Sequence, residues 1–326
     1  MTDKPLRAAV IGLGHNGLAW CETYQQARGT ILAAVCDLDA ERAASVTTRF
    51  SVEARSFPDI LADPTIDIVS VHTADHQHAE PFVQAIAAGK HVFVEKPLAN
   101  SLEDVRRMVE AARRSDRFVM VGQVLRFYPL YEQIKKMVEG GLLGEITYAE
   151  ADYVHDLRYQ QHMERWKLAE EIPMVGGGCH PYDLLRWFLD DEPEWVTAAS
   201  NRIAYREMKE DTSIAAIFRF RKGAVAKVAA VYGSPTPARY NLALYGTRGS
   251  IHKNKFCYDG MDRWMEISGG QHKNYLGEAE HFAECIRTGK RPLVDILEGA
   301  RTVSGCLAAV KAARTGKPVK PELFEE

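Results

Sequence analysis

The chain has 326 residues, with 41 Lys and Arg against 44 Asp and Glu, so its formal net charge is −3. Hydrophobic residues make up 46% of the chain, which is ordinary for a folded globular protein and too high for a disordered one. The near balance of charge argues against an electrostatic nucleic-acid binder. No apolar run approaches the roughly 20 residues of a membrane span. We therefore expect a small-molecule partner, and neither a nucleic acid nor a membrane.

The length predicts two domains, because single hydrophobic cores seldom grow past about 250–300 residues. The six cysteines are scattered and form no CxxC pair, which is typical of reduced thiols in the cytosol. The polar start of the chain does not resemble a signal peptide. A cytoplasmic protein is the expectation from these features.

Short apolar runs alternate with amphipathic stretches over the first part of the chain. This rhythm predicts a parallel sheet with helices on both faces, an α/β fold of the doubly wound Rossmann type, over residues 1–123. The predicted strands are residues 7–11, 31–36, 67–71, 90–94 and 118–121.

The rhythm changes after residue 123. Several strand-like segments follow one another between residues 146 and 251 with only one helical stretch, 180–189, among them. Helices are predicted at 128–139, 277–287 and 297–315. We expect residues 124–326 to form an α+β domain with a large open sheet of mixed or antiparallel strands.

The segment from Gly12 to Gly17, GLGHNG, matches the GxGxxG pattern between the first strand and the first helix. Gly12 permits a tight turn, Gly14 a close approach of backbone to a pyrophosphate, and Gly17 close packing of helix on strand. His15 and Asn16 lie at the helix start, where free N–H groups favour phosphate. The bland alternative is a glycine-rich turn with no ligand.

Asp37 lies twenty residues after Gly17, at the end of the second predicted strand. A carboxylate there accepts hydrogen bonds from the adenosine ribose, and neither Asp37 nor the following Leu38 is the arginine that would bind a 2′-phosphate. The sequence therefore favours NAD over NADP. The alternative is that Asp37 only caps the next helix.

Five further segments resemble the motifs of one family, the Gfo/Idh/MocA oxidoreductases (glucose–fructose oxidoreductase, inositol dehydrogenase and MocA). They are EKP at residues 95–97, VHTADHQHAE at 71–80, RFYP at 126–129, GLLGEI at 141–146 and HPYDLLRW at 180–187. The resemblance extends over nearly the whole chain. It implies a Rossmann domain followed by an open-sheet domain, NAD(P), and redox chemistry on sugars, cyclitols or their derivatives.

The resemblance also implies site residues and an assembly. Further cofactor contacts are expected at Thr73, His78, Glu95, Lys96, Gln123 and Trp166. Substrate contacts are expected at Lys96, Arg126, Tyr153, His155, Arg158, Arg165 and His180. The open sheet would be covered by another subunit, giving a homodimer or homotetramer.

Two of these residues are expected to be catalytic. Lys96 follows a parallel strand, at the sheet edge where ligands bind, and can stabilise an alkoxide. We expect a cis bond before Pro97 to aim it. His180 lies at a helix start, which disfavours imidazolium and leaves a base that works near neutral pH. The alternatives are a solvated lysine and a histidine that caps its own helix.

One position departs from the family pattern. Dehydrogenases of the family carry an aspartate four residues before this histidine, whereas this chain has Gly176, the first of three consecutive glycines. Three glycines can let backbone approach a ligand closely. The gap leaves open an NAD-dependent glycosidase that works by transient oxidation, elimination and re-reduction.

Two clusters are less specific. Arg158 and Arg165 can bind an anionic sugar through paired N–H groups, and Trp166 can stack on sugar or cofactor; the alternative is an exposed, solvated loop. The spacing of His72, His76 and His78 matches no zinc signature, so we expect no metal.

Overall fold

The computed structural model describes residues 4–156 and 169–325. These residues divide into two compact units. The first comprises Met1–Val124, Asn274–Ala300 and Glu325–Glu326, and the second Leu125–Lys273 and Arg301–Phe324. The expected division assigned everything after residue 123 to a second domain, whereas the compact units return the segment 274–300 to the first.

The secondary structure is named here in chain order. The strands are β1 (Leu6–Ile11), β2 (Thr30–Cys36), β3 (Glu53–Ala54), β4 (Ile68–Val71), β5 (His91–Glu95), β6 (Val119–Gly122), β7 (Ile146–His155), β8 (Pro193–Asn201), β9 (Ser213–Phe220), β10 (Val225–Tyr232), β11 (Arg239–Gly246), β12 (Gly249–His252), β13 (Lys255–Tyr258) and β14 (Met265–Glu266). The helices are α1 (His15–Gln26), α2 (Ala40–Phe50), α3 (Phe57–Ala62), α4 (Ala79–Ala87), α5 (Leu102–Arg113), α6 (Pro129–Glu139), α7 (Pro173–Gly176), α8 (Cys179–Leu189), α9 (Tyr275–Thr288) and α10 (Ile296–Thr315).

The first unit contains a six-stranded sheet in the order β3-β2-β1-β4-β5-β6, with all strands parallel. Every residue of β4 and of β6 is buried, as strands covered by helices on both faces require. This is the doubly wound Rossmann order, and it confirms the predicted fold of this part of the chain.

An aromatic cluster explains why α9 belongs to the first unit. The ring of Trp20 on α1 lies 5.7 Å from that of Tyr275 and 3.9 Å from that of Phe93 on β5. Phe93 in turn lies 6.4 Å from Phe282 on α9. Burial of these rings, each worth a few kcal/mol, holds a distant segment of the chain against α1 and β5.

The second unit contains an eight-stranded sheet in the order β14-β13-β12-β11-β7-β10-β9-β8. The β7–β10 pair is parallel and the other neighbours are antiparallel, so the prediction of a large mixed sheet is confirmed. The short β13 and β14 were not predicted.

One face of this sheet packs against helices. The ring of Tyr182 on α8 stacks on Phe218 of β9, with centroids 4.6 Å apart. Alternate residues of β9 face the other way, and Ile217 is exposed there. Across the described residues, no helix combines the length and apolar character that crossing a bilayer requires.

Candidate functional site

The glycines of the GLGHNG loop are required by the backbone around them. Gly12 has a φ of +87°, and a Cβ there would lie 2.6 Å from the carbonyl oxygen of His72. A Cβ on Gly17 would overlap the carbonyl oxygen of Gly12. A side chain at Gly12 or Gly17 would clash with backbone. Glycine at both positions therefore allows the loop after β1, the first turn of α1 and the backbone after β4 to pack closely.

The N-terminus of α1 is suited to an anion. Gly14 is its N-cap, and in the described part of the chain no side chain caps this end and no acidic residue occupies the first turn. His15 is exposed and Asn16 half-buried. The first N–H groups and the helix dipole are therefore directed at whatever occupies the loop, the arrangement that binds phosphate.

Asp37 braces this loop. Its Oδ2 accepts a hydrogen bond from the Leu13 N–H at 2.6 Å and its Oδ1 accepts one from the Asp39 N–H at 2.8 Å. Asp39, not Asp37, caps α2, so the capping alternative for Asp37 is wrong. Leu38 is fully exposed, and Arg42 Nη1 lies 3.4 Å from Asp37 Oδ2.

His78 joins the loops that follow β4 and β5. Its Nδ1 lies 2.8 Å from the Pro97 carbonyl oxygen and its Nε2 3.1 Å from that of Thr73. Burial lowers the pKa of His78 to about 4, so the ring is neutral and donates its one N–H to one of these carbonyls. These contacts indicate that His78 holds the backbone of both loops, at Thr73 and at Pro97, in position.

Lys96 stands directly after β5. The buried Glu95 carboxylate accepts a hydrogen bond from the Lys96 N–H at 2.9 Å, and the Lys96–Pro97 peptide bond is cis, as expected. Gln123, directly after β6, is buried, and its Oε1 has no hydrogen-bond partner in the described ranges. The glycine loop, Asp37 and this unsatisfied amide oxygen fit a dinucleotide at the carboxyl edge of the sheet.

His72 serves a different purpose. Its Nε2 lies 2.7 Å from Ser70 Oγ, and its ring lies 5.5 Å from that of Trp20. Burial holds the pKa of His72 well below its usual value. Within residues 4–156 and 169–325, no group of three or more His, Cys, Asp or Glu side chains is arranged to hold a metal ion.

In the second unit, His180 is the second residue of α8 and is buried. Gly178 is the N-cap and α8 has no side-chain cap among the described residues, so His180 does not cap its own helix. The rings of Tyr153 and Tyr240 lie 6.1 and 5.6 Å from the imidazole. Tyr153 OH is 2.6 Å from Nδ1 of His155, so the structure brings three predicted site residues together.

The three glycines before His180 make room for protein side chains. A Cβ on Gly176 would lie 2.7 Å from Glu171 Oε1, and one on Gly177 would lie 2.5 Å from the ring of Tyr153. A Cβ on Gly178 would lie 2.6 Å from the Met174 carbonyl oxygen. The sequence predicted that these glycines let backbone approach a ligand. The structure shows instead that they allow close packing of protein groups within the unit.

Glu171, Tyr232 and Tyr240 were not predicted as site residues. Tyr232 OH donates a hydrogen bond to Glu171 Oε1 at 2.5 Å, and both residues are buried. Burial, together with the charge of Glu171, raises the pKa of Tyr232 well above its usual value. Burial does the same for Tyr240. The glycine at position 176, where the family pattern has an aspartate, was the one unusual feature of the sequence beside this pair.

Arg126 requires a correction. It was expected to contact substrate, but its guanidinium is buried and pairs with Asp183 on α8 through Nε–Oδ2 and Nη2–Oδ1 bonds of 2.8 Å each. Thr302 Oγ1 also donates to Asp183 Oδ1 at 2.9 Å. This bidentate, desolvated pair fixes the first turns of α8. Arg158, Arg165 and Trp166 lie outside the described residues.

Comparison with known proteins identifies the chain. Residues 6–123 match the family model described as "Oxidoreductase family, NAD-binding Rossmann fold", and residues 131–252 match the "GFO/IDH/MocA C-terminal domain". The chain belongs to the Gfo/Idh/MocA family. It is an enzyme, an NAD-dependent oxidoreductase, which confirms the resemblance and the cofactor predicted from the sequence.

Relatives of the family match the chain from end to end. It is 29% identical over 339 residues to the scyllo-inositol 2-dehydrogenase (NAD(+)) of Bacillus subtilis, covering 98% of this chain and 97% of the relative. It is 27% identical to the 1,5-anhydro-D-fructose reductase of Ensifer adhaerens, covering 97% and 98%. The crystal structure of myo-inositol 2-dehydrogenase from Lactobacillus plantarum superposes with a TM-score of 0.85 at 22% identity, covering 98% and 100%, which shows a shared fold.

Proposed function

We propose that this Gfo/Idh/MocA enzyme oxidises a secondary hydroxyl of a sugar, sugar acid or cyclitol, or reduces the corresponding ketone. The proposal rests chiefly on one observation, the burial of His180 beside Tyr153 and Tyr240. Aromatic faces with hydroxyl and imidazole groups beside them suit a ring that is apolar on its faces and hydroxylated at its edge. The names of the inositol and anhydrofructose relatives support the same class.

The residues divide the chemistry between them. We assign alkoxide stabilisation to Lys96, whose backbone the buried Glu95 holds, because a cation stabilises the oxygen charge that develops during oxidation. We assign proton transfer to His180, because a neutral imidazole is a suitable base near pH 7. NAD, when bound, would supply the hydride acceptor for this oxidation. Gly12, Gly14, Gly17 and Asp37 would hold the dinucleotide.

The glycosidase alternative loses its main support. It depended on the missing aspartate at position 176, and the buried carboxylate of Glu171 lies beside that position. The relatives named above are a dehydrogenase and a reductase. Cleavage of a glycoside without net redox change therefore serves as the outcome that would overturn the proposal.

The test is an assay of purified enzyme with NAD and a panel of cyclitols, aldoses, sugar acids and aryl glycosides. NADH absorbance and released aglycone are followed together. We expect net NADH with at least one cyclitol or sugar, and loss of turnover in Lys96→Ala and His180→Asn. Exposed Lys136→Ala and His272→Asn are the matched controls. Aglycone release without net NADH, or near-normal turnover in Lys96→Ala, would overturn the proposal.

We also propose that a second copy of the chain covers the open sheet face, giving a homodimer or homotetramer in the cytoplasm. Trp195, Ile217 and Tyr245 lie on this face, and each is more than a third exposed. All six cysteines are free thiols. Light scattering should give a multimeric mass that falls in Ile217→Lys but not in Ile203→Lys, a substitution at an exposed loop residue. A monomeric wild-type protein would contradict the proposal.

A further inference from the structure

The backbone before His180 is helical across the glycines. Gly177 and Gly178 both have right-handed helical dihedral angles, between the end of α7 and the start of α8. The His180 N–H bonds to the Gly177 carbonyl oxygen at 3.3 Å, so positions 176 and 180 are about one turn apart along right-handed backbone, and in a regular helix that spacing places Cβ atoms about 5–6 Å from each other. A side chain at 176 would be a direct neighbour of His180.

The space at that position is filled by a carboxylate from another residue. Glu171 Oε1 lies 2.7 Å from the point that a Cβ on Gly176 would occupy. The side chain is buried and held by the hydroxyl of Tyr232. A carboxylate close to an imidazole favours the protonated form of that imidazole.

Among residues 4–156 and 169–325, the titratable groups that contact His180 or its helix start supply no equivalent charge. Tyr232 on β10 and Tyr240 on β11 stay protonated at neutral pH, because burial raises the pKa of both well above the usual value. Tyr153 on β7 bonds to His155. Cys179 Sγ donates to the Gly176 carbonyl oxygen. One turn along α8, Asp183 is paired with Arg126.

We infer that Glu171 is a positioning residue for the reaction, supplying from outside the His180 helix the carboxylate that the family pattern places at position 176. This inference rests on the proposed role of His180 as the proton-transfer group. The charge of the Glu171 side chain, and not only its volume, is needed beside Gly176. It also explains the glycine, because an aspartate at 176 would be driven into the Glu171 carboxylate.

The first experiment changes charge at nearly constant shape. Glu171→Gln keeps an acceptor for Tyr232 but removes the charge. We expect kcat to fall about tenfold or more, and the acidic limb of the kcat/KM profile to move to lower pH by about half a unit to one unit, because the imidazole loses a stabilising anion. Tyr232→Phe, which removes the hydrogen bond to Glu171 but keeps the carboxylate, should leave the limb in place.

The second experiment moves the carboxylate. Glu171→Ala and Gly176→Asp should each lower kcat, the first by removing the charge and the second by placing two carboxylates in one space. The double variant Glu171→Ala/Gly176→Asp should recover at least part of the loss. NAD affinity by fluorescence and the thermal midpoint of each variant show whether the protein is folded and loaded.

A measurement without turnover separates this inference from the proposed function. The His180 imidazole can be titrated by NMR in protein with labelled histidines, its signal assigned by its loss in His180→Asn. Its pKa should fall in Glu171→Gln and not in Tyr232→Phe. An unchanged His180 pKa and pH profile in Glu171→Gln would overturn the inference, even with the oxidoreductase activity intact. Turnover that survives His180→Asn would instead overturn the proposed role of His180.

Discussion

Asp37 Oδ2 accepts a 2.6 Å hydrogen bond from the backbone N–H of Leu13, so the acid at the end of β2 holds the loop that follows β1. The two residues are 24 positions apart. The carboxylate that is expected to bind the adenosine ribose is thus also a structural part of the pyrophosphate loop. Cofactor selection and loop geometry depend on one side chain.

The first prediction concerns this side chain. Asp37→Ala should weaken NADH binding by about 10-fold to 100-fold, because one or two charge-assisted hydrogen bonds are lost. It should weaken NADPH binding less, because the nearby Arg42, 3.4 Å from Asp37, is released toward a 2′-phosphate. Fluorescence titration with both nucleotides measures the ratio.

Two variants control this prediction. Asp39→Ala removes a neighbouring carboxylate that caps α2 and should leave the ratio nearly unchanged. Asp37→Ala/Arg42→Ala should lose the relative gain for NADPH. Wild-type enzyme that binds NADPH as tightly as NADH would show that Asp37 does not discriminate.

The second prediction concerns the buried pair of Arg126 and Asp183. Arg126→Met should lower the free energy of unfolding by about 3–5 kcal/mol, because the buried Asp183 loses its bidentate partner and keeps only Thr302 Oγ1 at 2.9 Å and Arg186 Nη1 at 3.9 Å. Arg126→Met/Asp183→Leu should recover much of the loss. Arg107→Met, which breaks the exposed pair with Glu80, should cost less than about 1 kcal/mol. Urea unfolding gives all three values.

The same variants test the corrected role of Arg126. If the guanidinium only fixes α8, Arg126→Met/Asp183→Leu should retain a substrate KM close to that of the wild type. A KM raised tenfold or more in a stable double variant would restore Arg126 to the substrate contacts.

The sequence predicted what depends on short-range patterns. A few neighbouring residues are enough to identify the GLGHNG loop, Asp37, EKP and the helix start at His180, because turns, helix ends and parallel strands constrain nearby positions. The doubly wound parallel sheet was predicted from the same alternation of strands and helices. These local features were sufficient to predict both the fold and the cofactor.

Contacts between distant segments of the chain could not be predicted from the sequence. Tyr232 and Glu171 meet 61 positions apart, and nothing in either local sequence shows that one is the other's donor. Likewise the packing of Tyr275 against Trp20, which carries α9 into the first unit, depends on the folded chain. The pairing of Arg126 with Asp183 was not predicted, because a motif reports which residue is present and not what its guanidinium bonds.

The third prediction rests on the sequence alone. Arg158→Gln/Arg165→Gln should raise KM for the true substrate far more than it changes NADH affinity, if the substrate carries an anionic group bound through paired N–H donors. Arg206→Gln/Arg239→Gln, at two exposed arginines, controls for the change in net charge. Unchanged kinetics in Arg158→Gln/Arg165→Gln would show a solvated segment and a neutral substrate.

The last prediction concerns stability below neutral pH. Burial lowers the pKa of His78 to about 4, against about 6.5 in an unfolded chain. Between these values the unfolded state binds a proton that the native state does not, so stability is present above pH 6.5 and declines as the pH falls.

For this one group the loss from pH 7 to pH 5 is about 2 kcal/mol. Urea unfolding at both pH values should show a loss in the wild type that includes this contribution together with those of the other buried histidines, such as His72 and His91, and a loss smaller by about 2 kcal/mol in His78→Asn. His76→Asn, at the exposed neighbour two residues earlier, should keep the full pH dependence. Equal losses in the wild type and in His78→Asn would mean that His78 takes up its proton in the native state, and that its contacts with Pro97 and Thr73 do not require a neutral ring.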